Sequence, residues 1–548
     1  MTPSTRPHRR PGLLRSRLAL SAVAASLALA ACGGDDPATE EPDAGADGET
    51  EDAEAPAMAE GADVSEFNIA WNAQPPTLDP VVTTATTTRD ISRNIYEPLL
   101  IMDSENEMQP VLAESWEEED DGATIVFTLR DGVTFHNGDP LTAEDAAASL
   151  ERWFRLSNVG TQFFGGATAE ATGDLEVTVT TPEAMFTTLM MLGDPGSPPA
   201  IMPASVVEAA PDEGTDEIIG TGPYAYGEWV TDQYVRLELN EDYAPAPGDP
   251  AGMAGDRSGT YENLVYHLVD DSSTRLSGLQ SGQYDAANAI PFDNFSQVDS
   301  DPNLEPVIQN TGFNALIYNK AEGPMADETM RQAINAALNT EEIQIAAFAD
   351  DQFYDLNGAL MPEDSLWYTE AGLENFNVSD PELAEQLLEE AGYDGEPLRL
   401  ITTREYDDHY DSAVVIQQQL AAVGVEVDMV VTDWATVLEN RADPGAYDFF
   451  ITGFSPTPIP TRYVFFNPEW PGWTEDETIS EAIDSITYAA GEDEAMDAAD
   501  ELQEAFYEYL PVTKFGDRTN ITVLRDGIAG YDALTGVGDV FFRVYPTE

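Results

Sequence analysis

The chain has 548 residues, with 103 acidic and 23 basic side chains and a formal net charge of −80. Nucleic acids and anionic lipid headgroups are poor partners for such a chain, because both require a positive surface. Self-repulsion of this size destabilises a compact state unless salt screens it. Lysine is also scarce, since Lys320 and Lys514 are the only lysines. The composition favours adaptation to high salinity over an ordinary acidic surface.

The N-terminal segment has the layout of a secretory signal. Five arginines precede a hydrophobic stretch at 18–31, which is shorter than the roughly 20 residues that a membrane-spanning helix needs. The stretch ends in Leu-Ala-Ala-Cys (29–32), which resembles the bacterial lipobox. Cys32 is the single cysteine, and its position argues against a buried free thiol. We predict a signal peptide at 1–31, lipidation of Cys32, and a protein tethered outside the cytoplasmic membrane.

Residues 32–63 are predicted to form a disordered tether. The stretch 33–63 contains twelve acidic residues and no Lys, Arg, Val, Ile, Leu or aromatic residue. It therefore has no apolar surface to offset the entropy lost on ordering, and charge repulsion keeps it extended. An acidic interaction tail is the alternative.

The first elements of the body alternate between strand and helix. The β-branched and aromatic run 125–129 lies between Asp-Gly turns and predicts a strand. Thr142 begins a capping-box variant, followed by apolar residues at helical spacing up to Phe154. Residues 177–180 alternate as a strand, and the proline-rich stretch 194–203 predicts a loop.

The same alternation continues in the second half. Asp327 is placed to cap one helix, and Asp380-Pro381 begins another that ends at Gly392 and is predicted to bury Leu383, Leu387 and Leu388. Further segments predict helix, strand, helix and strand in turn: 411–423, 425–431, 434–441 and 447–452. This order is typical of α/β lobes.

The chain is poor in catalytic groups. Beyond the signal, its histidines are His136, His267 and His409, and no HExxH, GxSxG, GxxxxGK[ST] or GxGxxG motif is present. We predict no catalytic residue, no metal site and no cofactor. By elimination, the body is a binding protein and not an enzyme; an extracellular hydrolase or a surface adhesin is disfavoured.

Several blocks resemble solute-binding protein family 5, the extracytoplasmic receptors of peptide, dipeptide and nickel ABC importers. They are PPTLDP (75–80), LAESW (112–116), FTLRDGVTFHNG (127–138), LTAED (141–145), SLER (149–152), GTGPY (220–224), NEDY (240–243), DSSTRLSGLQSGQYD (271–285), MRQAIN (330–335), 384–393, QLAAVG (419–424) and Tyr447-Asp448. The blocks occur in the family's order, from about residue 67 to the C-terminus. Most of their positions are expected to be scaffold.

The resemblance implies a periplasmic-binding-protein-like α/β fold, with two lobes joined by a hinge and a smaller domain inserted in lobe I. The implied parts are lobe I (64–97, 218–307 and 511–548), the inserted domain (98–217) and lobe III (308–510). The ligand would lie between lobes I and III, which close by hinge motion. The partners would be an ABC permease and ATPase, the membrane contact would be the lipid anchor alone, and the protein would act as a monomer.

The resemblance also implies which loops hold the ligand. The candidate residues are Trp71, Asn72, Gln74, Arg404, Glu405, Tyr406, Trp434, Phe454, Ser455 and Arg462. Peptide-binding members commonly carry an aspartate after the Tyr-Asp strand, whereas residues 453–460 contain no acid here. Glu405 or Asp433 could replace it. A short peptide is the expected ligand, and an oligosaccharide, an opine-like conjugate or a chelated metal remain alternatives.

Overall fold

The structure is a computed structural model that describes residues 57–59, 61–119, 122–363, 365–534 and 537–547. The predicted signal peptide, Cys32 and most of the predicted tether lie outside the described residues. None of the described helices is both long enough and apolar enough to span a membrane.

The strands account for one large sheet and several small ones. They are β1 (Phe67–Trp71), β2 (Leu100–Met102), β3 (Met108–Pro110), β4 (Ala113–Glu118), β5 (Thr124–Leu129), β6 (Thr168–Ala171), β7 (Glu176–Thr180), β8 (Tyr224–Val230), β9 (Tyr234–Leu239), β10 (Asn263–Leu268), β11 (Ala286–Ala287), β12 (Leu304–Tyr318), β13 (Tyr354–Asp355), β14 (Leu398–Thr403), β15 (Val427–Thr432), β16 (Phe449–Phe454), β17 (Val512–Arg525), β18 (Ile528–Ala529), β19 (Asp532–Leu534), β20 (Gly538–Val540) and β21 (Tyr545–Pro546).

The helices cover the faces of these sheets. They are α1 (Thr86–Ser92), α2 (Ala143–Leu156), α3 (Asn158–Phe163), α4 (Thr188–Leu192), α5 (Ala204–Ala209), α6 (Ser272–Gln280), α7 (Phe295–Asp299), α8 (Glu328–Ala337), α9 (Thr340–Phe348), α10 (Pro381–Glu390), α11 (Asp407–Ala422), α12 (Trp434–Asn440), α13 (Glu477–Thr487) and α14 (Glu492–Tyr509).

The large sheet has the strand order β15-β14-β16-β12-β17-β11-β1-β10-β9-β8, with β13 also paired to β17. In one half, which we call lobe I, β1 runs parallel to β10 and β11. In the other half, lobe III, β14 runs parallel to β15 and β16. Parallel strands with intervening helices are the α/β architecture that the sequence predicts. The boundary predicted at 307/308 falls inside β12, and the predicted lobe ranges stay a prediction.

The antiparallel strands β12 and β17 pass from one lobe into the other. Their pairing is irregular between Asn310 and Gly312 and again between Phe313 and Ala315. Gly312 has φ +106°, and a Cβ there would collide with the carbonyl oxygen of Phe454. Only glycine tolerates both the positive φ and this close approach. The kink at the crossing therefore depends on a residue without a side chain.

A second sheet, of order β4-β5-β7-β6, lies in residues 98–217, which we call the inserted region. Helix α2 covers this sheet and buries Trp153 and Phe154 against Phe164. Arg152 of α2 forms an ion pair with Asp79, and both side chains are inaccessible to solvent. The inserted region thus has apolar packing of its own and is joined to lobe I by a buried charge pair.

Most local sequence predictions are confirmed. The Thr142 hydroxyl accepts from the Asp145 N–H, and the Asp145 carboxylate accepts from the Thr142 N–H at 2.9 Å, which completes the capping box of α2. Asp327 and Asp380 cap α8 and α10. Helix α11 begins at Asp407, four residues before the predicted start at 411.

One burial prediction is wrong. Leu383 is 37% exposed, whereas Leu388 is buried and Leu387 is partly buried. Ala384 and Leu388 lie on the face of α10 that packs into the core of lobe III, and Leu383 lies beside that face. Val431 is also exposed, because β15 is the edge strand of the large sheet.

Candidate functional site

The carboxyl ends of the parallel strands in both lobes line one cavity of about 790 Å³. In lobe I, Trp71 ends β1, residues 72–73 follow it, and residues 288–293 follow β11. In lobe III, residues 405–408 follow β14 and residues 455–456 follow β16. Loops at the carboxyl ends of parallel strands are where α/β folds bind ligands. Here two such edges line the same cavity.

The strands that cross between the lobes contribute further polar groups to this cavity. Gln309, Asn310 and Thr311 come from β12, and Arg518, Thr519 and Asn520 come from β17. The cavity is therefore lined by both lobes and by the segment that joins them. Motion at the crossing would change its shape directly.

A smaller cavity of about 300 Å³ adjoins the first, and Thr86, Arg89, Ser455 and Pro456 line both. Its remaining walls come from lobe I, from the inserted region at 194–200, and from lobe III at 453–457 and 462–464. Three parts of the fold thus meet around it.

Seven of the ten candidate residues line one of these two cavities. The larger is lined by Trp71, Asn72, Glu405, Tyr406 and Ser455, and the smaller by Phe454, Ser455 and Arg462. Gln74, Arg404 and Trp434 line neither. Ligand contact by any of the ten stays a prediction.

The three outlying candidates have partners of their own. The Gln74 side-chain oxygen accepts from the Asp232 N–H at 2.7 Å. The Arg404 guanidinium lies 3.6 Å from the centre of the Tyr410 ring. Trp434 packs edge-on against Tyr406 at 5.2 Å, and so it supports a ring that lines the cavity.

Trp71 and Asn72 occupy the end of β1. The Trp71 ring packs on Tyr266 and Phe541, and its buried indole N–H has no hydrogen-bond partner among the described residues. The Asn72 side-chain oxygen accepts from the Asn288 amide at 3.1 Å, and the Asn288 oxygen accepts from the Asn72 backbone N–H at 3.0 Å. These bonds hold the loops after β1 and β11 together.

A buried charge network lies on the lobe I side of the larger cavity. Arg93 donates to Asp90 at 2.6 Å. The neighbouring carboxylate of Asp539 accepts from the hydroxyls of Thr522, at 2.8 Å, and Tyr531. Burial, together with the charge of Asp90, raises the pKa of Asp539 to about 6. Asp539 is therefore a cavity group that changes charge near neutral pH.

The lobe III side presents a different set. Asp408 accepts from the Asn314 amide at 2.7 Å and lies 3.6 Å from the Arg518 guanidinium. His409 is buried beside it, and burial lowers the pKa of this imidazole, so it is neutral at pH 7. The Glu405 carboxylate accepts from the backbone N–H of Trp434 at 3.1 Å.

Sequence reasoning missed the residues that reach the cavity from distant segments. Asp90 and Arg89 come from α1, Asp539 from β20 and Arg518 from β17. None of them follows the strand ends that pointed to the other candidates. The described residues contain no group of three or more His, Cys, Asp or Glu side chains placed to hold a metal ion.

A ligand-sized cavity between two α/β lobes that share their central strands defines a bilobed binding protein. Residues 107–472 match the family of bacterial extracellular solute-binding proteins, family 5 Middle, and the chain belongs to that family. It is accordingly a substrate-binding protein of a transporter, which confirms the resemblance and the predicted fold.

The chain is also similar to curated relatives, and solved structures share its fold. The chain is 26% identical to a probable peptide ABC transporter periplasmic-binding protein, y4tO, of Sinorhizobium fredii, over 80% of this chain and 86% of that one. The dipeptide-binding protein of Pseudoalteromonas sp. SM9913, solved with Met-Leu, matches with a TM-score of 0.75 at 20% identity, over 88% of this chain and 100% of that one. AgaA from A. tumefacien R10, solved with agropinic acid, matches with a TM-score of 0.73 at 22% identity, over 88% and 99%.

Proposed function

We propose that this protein captures a short peptide between lobes I and III and delivers it to an ABC permease, without making or breaking a bond. The observation that carries the proposal is the shared cavity of about 790 Å³ between two facing sets of strand ends. Its volume lies within the roughly 300–1,000 Å³ of small-ligand sites. The peptide-binding names among the relatives support the same ligand class.

A buried ammonium group without a counter-charge is costly, so the amino group of a peptide ligand needs a carboxylate partner. Residues 453–460 contain no acid, so this partner must lie elsewhere. Of the two substitutes predicted, Glu405 lines the larger cavity, whereas Asp433 caps α12 by accepting from the Thr436 N–H. We assign the amino group to Glu405. Aromatic contact would come from Tyr406 and Trp71.

Thermal melting of the full-length chain in molar salt tests the ligand class. Three sets of probes are compared: short peptides, oligosaccharides together with opine-type conjugates, and nickel–histidine complexes. A ligand at a hundredfold its Kd adds about 2.7 kcal/mol of stability, which is readily measured. A shift with peptides alone supports the proposal. A shift with another set and not with peptides contradicts it.

We further propose that Cys32 carries the lipid anchor and that the mature protein is monomeric. Mass spectrometry of the membrane-extracted protein should show a diacylated N-terminal cysteine, and Cys32→Ala should release the protein from the membrane. Unchanged membrane retention of the variant would contradict the anchor. Light scattering after gel filtration should give one chain per particle.

The acidic composition supports operation in high salt. Lys514 is buried and pairs with Asp517 at 2.7 Å, and Lys320 donates to two backbone carbonyls, so neither lysine serves as an exposed surface charge. Screening at about 1 M salt shortens the Debye length to about 3 Å. The melting temperature should therefore rise steeply between 0.1 and 2 M KCl; a flat profile would contradict this adaptation.

A further inference from the structure

Two buried aspartates lie side by side in the lobe I wall of the larger cavity. Asp90 belongs to α1 and Asp539 to β20, and they are only 5% and 4% exposed. Arg93 holds the two elements together: it donates to the Asp90 carboxylate at 2.6 Å and to the backbone carbonyls of Val537, at 2.5 Å, and Asp539, at 3.4 Å. A Cβ added at Gly538 would lie 3.0 Å from the Asp90 carboxylate. Strand β20 therefore passes directly beside this carboxylate.

The neighbouring arginines are bonded to Asp90 and leave Asp539 without an ion pair. Arg89 Nε and Arg93 Nη2 both donate to Oδ1 of Asp90, at 3.1 Å and 2.6 Å. Within the part of the chain that the structure describes, no arginine or lysine side chain pairs with the Asp539 carboxylate. Asp539 is therefore a buried acid whose charge has no direct partner in the fold.

One oxygen of each carboxylate is left free. The hydroxyls of Thr522 and Tyr531 both donate to Oδ1 of Asp539, the first at 2.8 Å, and none of the described residues donates to Oδ2. In Asp90 the two arginines likewise bond Oδ1 alone. Neither Oδ2 is among the buried, unpartnered side-chain atoms that solvent cannot reach. Both oxygens are thus acceptors that remain open in the cavity that their residues line.

The groups around Asp539 determine when it is charged. Burial, and then the negative charge of Asp90, raise the pKa of Asp539 to about 6, whereas its hydroxyl bonds and Arg93 favour the ionised form. The other titratable groups that face it are Tyr531 and Tyr266, and burial raises the pKa of both, so they stay neutral donors. A cation placed at the free oxygen would lower the pKa of Asp539 again, so it should bind most tightly where Asp539 is ionised.

An acidic composition does not by itself make this wall a binding site. The chain has 103 acidic against 23 basic residues, so carboxylates are expected in the wall of any cavity. Exposed carboxylates are hydrated and screened by salt, and they need no partner. Asp90 and Asp539 differ because they are buried, and a buried charge is costly unless it is paired. A cationic group of the ligand would supply the missing pair.

We propose that Asp539 and Asp90 bind a cationic side chain of the ligand, that of arginine or lysine if the ligand is a peptide. This inference rests on the proposed peptide receptor and narrows its substrate class to basic peptides. The lobe I wall takes the side chain, whereas the amino group of the backbone stays assigned to Glu405 of lobe III. A guanidinium carries five N–H donors in a planar fork, so one such group has donors for both free oxygens.

Two matched peptide libraries test the proposal. Both contain random tri- and tetrapeptides with free termini; one carries arginine at a single varied position, and the other carries citrulline there, which has nearly the same shape and no charge. The full-length chain is dialysed against both in 2 M KCl, which screens attraction to the exposed acidic surface. Retained peptides are counted by mass spectrometry. At pH 7.5 the wild type should enrich arginine peptides roughly tenfold to a hundredfold, the scale of a charged hydrogen bond in a buried site.

The preference should also depend on pH. Because Asp539 titrates at about pH 6, it is mostly protonated at pH 5, and a bound cation must then displace a proton. The preference for arginine over citrulline should therefore fall by roughly fivefold to tenfold between pH 7.5 and pH 5. Both peptides have the same termini, so titration of the termini cancels in this ratio.

Variants assign the selection to its residue. Asp539→Asn keeps the shape of the side chain and removes its charge, so it should abolish both the preference and its pH dependence. Asp448→Asn is the matched control, because Asp448 is buried to the same degree and pairs with Arg399 but lines neither cavity. Its preference should equal that of the wild type. Thermal melting in the same salt verifies that each variant is folded.

The outcomes separate the two proposals. Equal retention of arginine and citrulline peptides at pH 7.5 leaves a peptide receptor standing and overturns the cation site. A preference that folded Asp539→Asn retains, with the pH profile of the wild type, also overturns it. If Asp539→Asn does not fold, the wild-type profile decides, and a preference that is constant from pH 5 to pH 7.5 overturns the site. Retention of neither library by folded wild-type protein overturns the peptide receptor, and the cation site with it.

Discussion

Two buried aspartate–arginine pairs hold the inserted region on two sides, and they are built differently. Asp79 and Arg152 join it to lobe I, with side chains 0% and 2% exposed. Asp194 and Arg462 join it to lobe III, with side chains 3% and 10% exposed. Similar pairs in similar burial thus connect one region to both halves of a protein whose halves are expected to separate.

The difference lies in the other bonds of each aspartate. Asp79 accepts from both terminal nitrogens of Arg152, from the Thr215 N–H at 3.0 Å and from the Val81 N–H at 3.1 Å. Asp194 accepts from the Gly196 N–H at 2.8 Å and pairs with Arg462 in the wall of the smaller cavity. The Asp79–Arg152 pair should therefore stay buried when the lobes separate. Separation of the lobes would instead expose both Asp194 and Arg462 to water.

Removing the charge of Asp79 gives the largest expected effect. Asp79→Asn leaves Arg152 buried without a counter-charge, which costs about 3–5 kcal/mol of unfolding free energy. Urea unfolding in molar salt measures it. Asp212→Asn is the control, since its pair with Arg155 is exposed and should change stability by less than about 1 kcal/mol. Similar losses in both variants would erase the distinction between buried and exposed pairs.

Asp539 extends the comparison to a buried carboxylate that accepts from hydroxyls in place of an arginine. The pKa of Asp539 in the folded protein is raised from 3.8 to about 6. Its contribution to the unfolding free energy is therefore greatest below pH 4, where the carboxyl group is protonated, and is lost as pH rises through 6. Relative to Asp539→Asn, the wild type should lose about 2–3 kcal/mol of unfolding free energy between pH 4 and 7. Urea unfolding of both proteins across this range measures it, and parallel profiles would rule the titration out.

Arg462→Met gives the smallest expected loss among the three buried sites. Opening of the lobes can hydrate Asp194, so the unfolding free energy should fall by only about 1 kcal/mol, as for an exposed pair. Small-angle X-ray scattering should show a larger radius of gyration than that of the wild type. A loss as large as that of Asp79→Asn, with an unchanged radius of gyration, would mean that the Asp194–Arg462 pair also stays buried at all times.

Local sequence signals predicted the elements well, and long-range contacts set the limit. Asp327 and Asp380 could be recognised as caps because a cap depends on residues within one turn. The exposure of Leu383 depends on how α10 is rotated against lobe III, which no local pattern reports.

The site was predictable to the same extent. Glu405 and Ser455 follow strands, so the resemblance could place them at the cavity. Arg462 lines the smaller cavity, but its partner Asp194 lies far away in the sequence, and no local pattern in either segment indicates that the two residues pair. Arg89 and Arg518 belong to separate stretches that line one cavity only in the folded chain.

The pairing of β12 with β17 along nearly their whole length determines what kind of motion the lobes can make. These strands pair from Leu304 with Arg525 to Ile317 with Val512, with two register shifts in between. The lobes are therefore joined by a hydrogen-bonded pair of strands and not by flexible linkers. Opening must twist a bonded ribbon, and a twisted ribbon exerts a restoring torque. The angle between the lobes is therefore elastic, and the free energy of ligand capture would include the energy stored in, or released from, the twist of these two strands.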